Sequence, residues 1–456
     1  MARKINKKDI GKMSLFALTW PLFIEILLHM LMGNADTLML SQYSDNSVAA
    51  VGVSNQILSI VIVMFGFIAT GTAILIAQHL GAKEQKEAKE VAVVSIIGNL
   101  LFGLVLSLVL YFFGKTFLQL MGIPAELMDD AYIYLVIVGG FSFVQAIVMT
   151  VGSIIRSYGF TKDSMYVTIG MNLLNVIGNY LFIFGAFGFP ELGVKGVAIS
   201  TIVSRLIGLV LLIWLMLRRV EGTFPFKSVF TLPFQHTKNL LTIGIPSAGE
   251  HLAYNTSQFV ITYFITKIGT EALTAKVYTQ NIMMFVMLFS IAISQGTQIL
   301  IGHMIGARKY EDAYTRCLRS LKPAIVISLG AAIVVSIFSK QLLGIFTDNP
   351  AILSVSTILI YLTIILEPGR SINLVVINSL RAAGDVRFPV YMGILSMWGV
   401  GITISYVLGI HFGFGLIGIW ISFIADEWLR GIIMLFRWRS RVWMNKTFLK
   451  QEELPA

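Results

Sequence analysis

The chain has 456 residues, 56% of them hydrophobic and only 13% charged, with 31 Phe and 20 Met. Soluble domains carry about 25% charged residues, so a soluble enzyme or binding module is excluded and a membrane protein is indicated. The formal net charge of +10 would suit a nucleic-acid partner in a soluble protein, but here the placement of the basic residues explains it.

Twelve apolar segments are long enough for the ~20 residues that a helix needs to cross hydrocarbon. They lie near 14–40, 47–80, 91–113, 130–155, 163–187, 194–218, 239–266, 272–304, 319–339, 353–380, 388–410 and 414–436. The predicted fold class is therefore an all-α polytopic membrane protein of twelve transmembrane helices. The first segment follows ARKINKKDIGK, but it is too long for the apolar region of a signal peptide and no small-residue cleavage site follows, so it is read as an uncleaved span. With a cytoplasmic N-terminus, 26 Lys and Arg fall on the inner side and five, Lys115, Lys195, Lys267, Lys276 and Lys340, in outer loops. The positive-inside rule then places both termini in the cytoplasm of a multi-pass cell (inner) membrane protein. The single cysteine, Cys317, excludes an internal disulfide and is expected as a free thiol in a charged loop on the reducing side.

Span 1 contains MGNADTLML, and Asp36 stands in otherwise apolar surroundings. An ionised Asp deep in a bilayer helix costs about 3 kcal/mol unless it meets a polar cavity or a partner. Pro21, earlier in the same span, lacks an N–H and favours a kink or hinge. Span 5 reads MNLLNVIGNYLFIFG, with Asn172, Asn175 and Asn179 on one helical face. Such a stripe suits a cavity wall or a carboxylate's partner, and suits helix packing equally. Thr201 and Arg205 lie one turn apart in span 6; Arg205 is expected either to pair with an acid or to snorkel.

The second half repeats the first. At an offset of 225, Pro21 meets Pro246, Glu25 meets Glu250, Gly71-Thr72 meets Gly296-Thr297, and GAK at 81–83 meets GAR at 306–308. Arg156, Gly159 and Tyr166 meet Arg381, Gly384 and Tyr391, and at an offset of 222 Gly193 and Gly196 meet Gly415 and Gly418. So long a register marks a duplication. Six spans per copy make the repeat parallel, with its pseudo-two-fold axis along the membrane normal. The expected organisation is an N-lobe at 1–218, a linker at 219–238, a C-lobe at 239–440 and a cytoplasmic tail at 441–456. Asp36 falls on Ile261, so the acid belongs to the first copy alone.

In span 7, Glu250 follows Pro246 by one turn, with His251, Asn255 and Gln258 nearby. In span 10, Glu367 and Arg370 are spaced to pair, and Pro368 between them is expected to kink or break the helix. Asp426 and Glu427, late in span 12, are expected at the inner interface. No HExxH, GxSxG, Walker-type loop or cysteine ligand cluster occurs, so the protein is read as no enzyme and as needing no organic cofactor.

With these motifs the chain resembles the multidrug and toxic compound extrusion (MATE) family over roughly residues 10–440, in PLFIEILLHMLMGNADTLML, IGHMIGARK, RSYGFTKDS, LRAAGDVRFP and NLLNVIGNYLFIFG followed by GVKGVAISTIVSR. The resemblance implies two six-helix bundles around a V-shaped cleft that opens alternately to the two sides. It also implies export of small organic cations or amphiphilic drugs against H⁺ or Na⁺. Carried onto this chain, the family's ion-coupling acid falls on Asp36 and its polar partners on Asn175, Asn179 and Thr201. Some members have an Asp at the position of Asn179, others have a Glu two turns rather than one after the second proline, and Arg370 occupies the place of a span 10 acid. A C-lobe site of Glu250, Asn255, Glu367 and Arg370 is therefore a candidate that the resemblance does not supply. Pro21 and Pro246 are expected as paired hinges, and the transporter is expected as a monomer in the bilayer with no nucleic-acid partner. The competing reading is a flippase for a lipid or lipid-linked glycan. A densely cationic cleft would favour it, whereas Arg205 and Arg370 are offset here by Asp36, Glu250 and Glu367.

Overall fold

The structure, a computed structural model, describes residues 13–225 and 234–449. The basic residues Arg3, Lys4, Lys7, Lys8, Lys12, Lys227 and Lys450, counted above toward topology, lie outside the described residues, as do parts of the expected linker and tail. Twelve long helices run in chain order: α1 Leu15–Ser41, α2 Asp45–Gly81, α3 Gln85–Leu120, α4 Ala125–Gly139 continued as Ser142–Ser157, α5 Thr161–Phe184 and α6 Gly193–Arg219. The second six are α7 Phe234–Ile268, α8 Thr270–Gly306, α9 Tyr310–Ile337, α10 Pro350–Ala382, α11 Arg387–His411 and α12 Gly415–Arg439. Among the described residues, nine of these helices are by themselves long and apolar enough to cross a membrane, and the two pieces of α4, bent by 43°, make a tenth. The remaining two, α7 and α12, are diluted by Glu250 and His251 and by Asp426, Glu427 and Arg430.

Packing gathers the helices into two units, one of Ile24–Leu80 and Glu84–Gly244, the other of Met1–Phe23, Gly81–Lys83 and Ile245–Ala456. In the first unit α3 packs on α4, α5 on α6 and α4 on α6, around a core that includes Leu40, Phe65, Leu118, Leu135, Ile183 and Val197. In the second, α10 is packed by α8, α9 and α12, and its core includes Ile301, Cys317, Leu380, Trp438 and Trp443.

The division of packing runs inside α1 and α7. The cause is visible at two glycines that the duplication makes equivalent. Leu240 and Ile243, in the first turns of α7, lie over Gly71 within the first unit, and Leu15 and Thr19, in the first turns of α1, lie over Gly296 within the second. A missing side chain at each site leaves the room that a helix end fills. The duplication extends to backbone conformation: Gly159 and Gly384 have φ of 83° and 96°, and the non-glycines Lys83 and Arg308 have φ of 65° and 58°.

Local structure refines several expectations. Cys317 is not in a loop: α9 begins at Tyr310, and the thiol is fully buried in the core beside it. Of the kink or break expected at Pro368 there is no break, since α10 continues to Ala382; in the turn before the proline, the Ile365 carbonyl takes an indole N–H from Trp428 at 2.8 Å. Lys276 is no loop residue but a buried one on α8, its Nζ donating to Thr262 Oγ1 at 2.7 Å. The start of the tail packs on the fold: Trp443 is fully buried and stacks on Trp438 with ring centroids 4.0 Å apart.

Candidate functional site

In the first unit α1, α5 and α6 bring the polar residues of their spans together. Asp36 is only 4% exposed. Asn179 Nδ2 donates to Asp36 Oδ1 at 2.6 Å and reaches Asn175 Oδ1 at 3.5 Å, and Asn175 Nδ2 donates to Thr201 Oγ1 at 3.2 Å. Asp36, Asn175, Asn179 and Thr201 thus form one hydrogen-bonded chain across three helices. The spacing of four places both amides on one face of α5. Between them Gly178 lets α6 approach, since a Cβ there would collide with Ser200; the Ser200 hydroxyl instead donates to the Asn175 carbonyl at 2.8 Å. Asn172 stands apart, its amide turned back to the Thr168 carbonyl at 2.8 Å.

Arg205 lies within electrostatic reach of Asp36 and of Tyr134, yet it makes no ion pair with Asp36 among the described residues, and its Nε is buried without a partner. Tyr134 is buried and donates to Asn55 Oδ1 at 3.4 Å. Tyr134 and Asn55 escaped the sequence reading, because an aromatic residue in an apolar span and a single amide carry no periodic signal. The chemistry of the chain is double-sided. An amide offers both a donor and an acceptor, and Asn179 Oδ1 is buried and unpartnered, so the same side chain can serve a carboxylate by donating or a carboxylic acid or cation by accepting.

The residues proposed for the second copy do not form one site. Glu250 pairs with Arg381, and its repeat equivalent Glu25 pairs with Arg156 at 2.7 Å and accepts from Ser164 Oγ at 3.0 Å. Asn255 is exposed on α7. Glu367 and Arg370 belong to a separate network: Arg370 Nη1 donates to Glu367 Oε1 at 2.6 Å, and its Nε lies 3.5 Å from Glu427 Oε1. Asn373 donates to Glu427 at 2.7 Å, while Arg430 pairs with Asp426 at 2.5 Å and lies 3.4 Å from Glu427. Asp426 is buried and also accepts from Ser396 at 2.6 Å. All four acids face an arginine: Glu250 has Arg381, while Glu367, Asp426 and Glu427 share Arg370 and Arg430. The pairing of Glu250 with Arg381 was legible in principle, since both residues repeat at the one offset of 225.

A family model described as MatE matches residues 21–181 and 246–407. The two matched stretches begin at the repeat prolines and cover well over half of the chain. The chain belongs to the MatE family. It is accordingly a multi-pass membrane transporter with the family's twelve-helix, two-lobe fold, and MatE proteins are transport proteins, not enzymes. The MatE chain is 58% identical over 441 residues to an uncharacterized transporter of Bacillus subtilis, YisQ, with 96% of this chain and 97% of that protein covered. It is 27% identical over 449 residues to the probable multidrug resistance protein NorM of Thermotoga maritima, covering 98% of this chain and 95% of the relative. In fold it is similar to the Vibrio cholerae MATE transporter VcmN in its bent form, with a TM-score of 0.86, 20% identity, and 94% and 96% of the two chains covered.

Proposed function

We propose that this MatE protein is a secondary active multidrug exporter that antiports cationic or amphiphilic organic compounds against H⁺ or Na⁺ by alternating access. The observation that carries the reading is a buried carboxylate of the first copy that no arginine pairs among the described residues, Asp36, bound into the Asn179–Asn175–Thr201 chain. Its repeat equivalent Ile261 is a buried core residue, so the acid answers to a task and not to the shared fold. Ionised, Asp36 attracts a cationic substrate or Na⁺, for which the side-chain oxygens of Asn175, Asn179 and Thr201 are ligands of suitable hardness. Protonated or ion-bound, it releases the substrate. The multidrug name carried by the NorM relative supports the substrate class. The positive-inside distribution supports cytoplasmic termini in the cell membrane, and the protein is read as a monomer. Engagement of Arg370 by Glu367 and Glu427 supports the exporter over the flippase reading, which calls for free cationic groups.

The test uses purified protein in liposomes, loaded with an ethidium-like dye and given a pH gradient or a Na⁺ gradient. One of the two gradients is expected to drive concentrative transport, and Asp36→Asn, which keeps the shape but not the charge change, is expected to abolish it with normal folding. Gradient-driven export at the wild-type rate by Asp36→Asn would overturn the assignment.

A further inference from the structure

Where α2 turns into α3, acidic residues meet a histidine from the first turn of α7, all within the first unit. His236 Nε2 lies 3.6 Å from Glu87 Oε2 and 3.6 Å from Glu90 Oε2, and the three atoms lie within 4.8 Å of one another. Both separations are too long for an N–H···O hydrogen bond, which ends near ~3.2 Å. They suit atoms that share an ion: with metal–ligand bonds of about 2.1 Å in a tetrahedral arrangement, neighbouring ligands stand about 3.4 Å apart.

The histidine is not a surface accident. His236 is 8% exposed and its Nδ1 finds no partner. Beside it, edge to face at 5.7 Å, stands His79, itself buried, with Nδ1 2.7 Å from Glu84 Oε2 and a bare Nε2. A carboxylate behind an imidazole is the arrangement that fixes a ring for metal or water binding. Among the described residues Lys86 pairs with the trio's carboxylates, 3.8 Å from the other oxygen of Glu90 and 82% exposed, and an ion would displace it at little cost. The second copy does not repeat the cluster: Glu87 meets Asp312, but the residues equivalent to His79, Glu84 and Glu90 are Met304, Lys309 and Thr315.

We propose that Glu87, Glu90 and His236 bind a divalent transition metal of the Zn²⁺ class. An imidazole nitrogen with two carboxylate oxygens selects Zn²⁺ and its neighbours over Mg²⁺ or Ca²⁺, which prefer all-oxygen sites. A water completes the coordination, and the ion ties the start of α7 to the start of α3. The site lies apart from the Asp36 chain and does not depend on the transport reading.

The experiment is titration of chelator-stripped, tag-free full-length protein in detergent with Zn²⁺, and with Co²⁺ as the spectroscopic probe. One equivalent is expected to bind, with the absorption of a low-coordinate N/O Co²⁺ site. His236→Ala and Glu87→Gln are each expected to weaken binding by about tenfold or more, while His411→Ala, an exposed histidine elsewhere, leaves it unchanged. Glu90→Gln provides a second conservative variant, and monodisperse elution establishes that each variant is folded. Absence of stoichiometric binding to the wild type, or equal affinity in folded His236→Ala and Glu87→Gln, overturns the proposal and leaves the cluster as a polar contact between the helix ends.

Discussion

Arg381→Gln leaves the carboxylate of Glu250 without its partner, and the size of the penalty tests whether that acid is structural. Losing one member of a fully buried pair costs about 3–5 kcal/mol, and an exposed pair is worth at most about 1 kcal/mol. With side chains 18% and 14% exposed, the pair falls between these limits, and about 2 kcal/mol is expected. At roughly 2–4 °C per kcal/mol for a domain of this size, the midpoint of thermal unfolding falls by about 4–8 °C. Glu250→Gln combined with Arg381→Gln is expected to recover about 1–2 kcal/mol of coupling in a double-mutant cycle. Arg156→Gln should behave alike, because Glu25 depends on Arg156 and Ser164 in the same register. The assay is fluorescence-detected unfolding of purified protein, read beside dye transport in liposomes. If Glu250→Gln unfolds at the wild-type temperature yet loses all ion-driven transport, Glu250 is a coupling acid and the structural argument fails.

Gly178→Val is expected to force α6 away from Asn175 and to lower dye transport at least as far as Asn179→Ala does, because the collision with Ser200 breaks the chain that holds Asp36; liposome transport beside an unfolding curve measures both effects. Trp443→Ala removes a fully buried ring stacked on Trp438 and should cost about 3–5 kcal/mol, seen as a lower unfolding midpoint, with the coupling ion unchanged. For topology, cysteine at exposed Gln42 should react in intact cells with an impermeant maleimide, while cysteine at Lys86, also exposed, should react only after permeabilisation. The native Cys317 is fully buried and should stay silent in both.

The helices were legible because a bilayer demands long apolar runs, and the duplication because its register holds over most of the chain. What composition could not show was where each helix end packs. Leu15 and Leu240 look like ordinary span residues; only the glycines they cover, Gly296 and Gly71, reveal why the units divide inside α1 and α7. The N-lobe chain was half legible. Spacing put Asn175 and Asn179 on one face, but which of them meets Asp36 depends on how far α1 lies along α5, and that depends on Gly178 and the packing around it. The C-lobe was read less well, because spacing reports neighbours within a helix and not partners across helices. Glu367 and Arg370 are three residues apart and do pair, whereas Glu427, which binds the same arginine from α12, had no local signal. The contrast bears on function. Where the second copy holds acids, arginines hold them in turn, and at Asp36 the nearest arginine, Arg205, forms no ion pair among the described residues and the direct partner is a neutral amide. A carboxylate held by amides can exchange its charge with a proton or an ion without breaking a direct ion pair. That asymmetry, more than the number of buried acids, argues for placing the coupling step in the first copy.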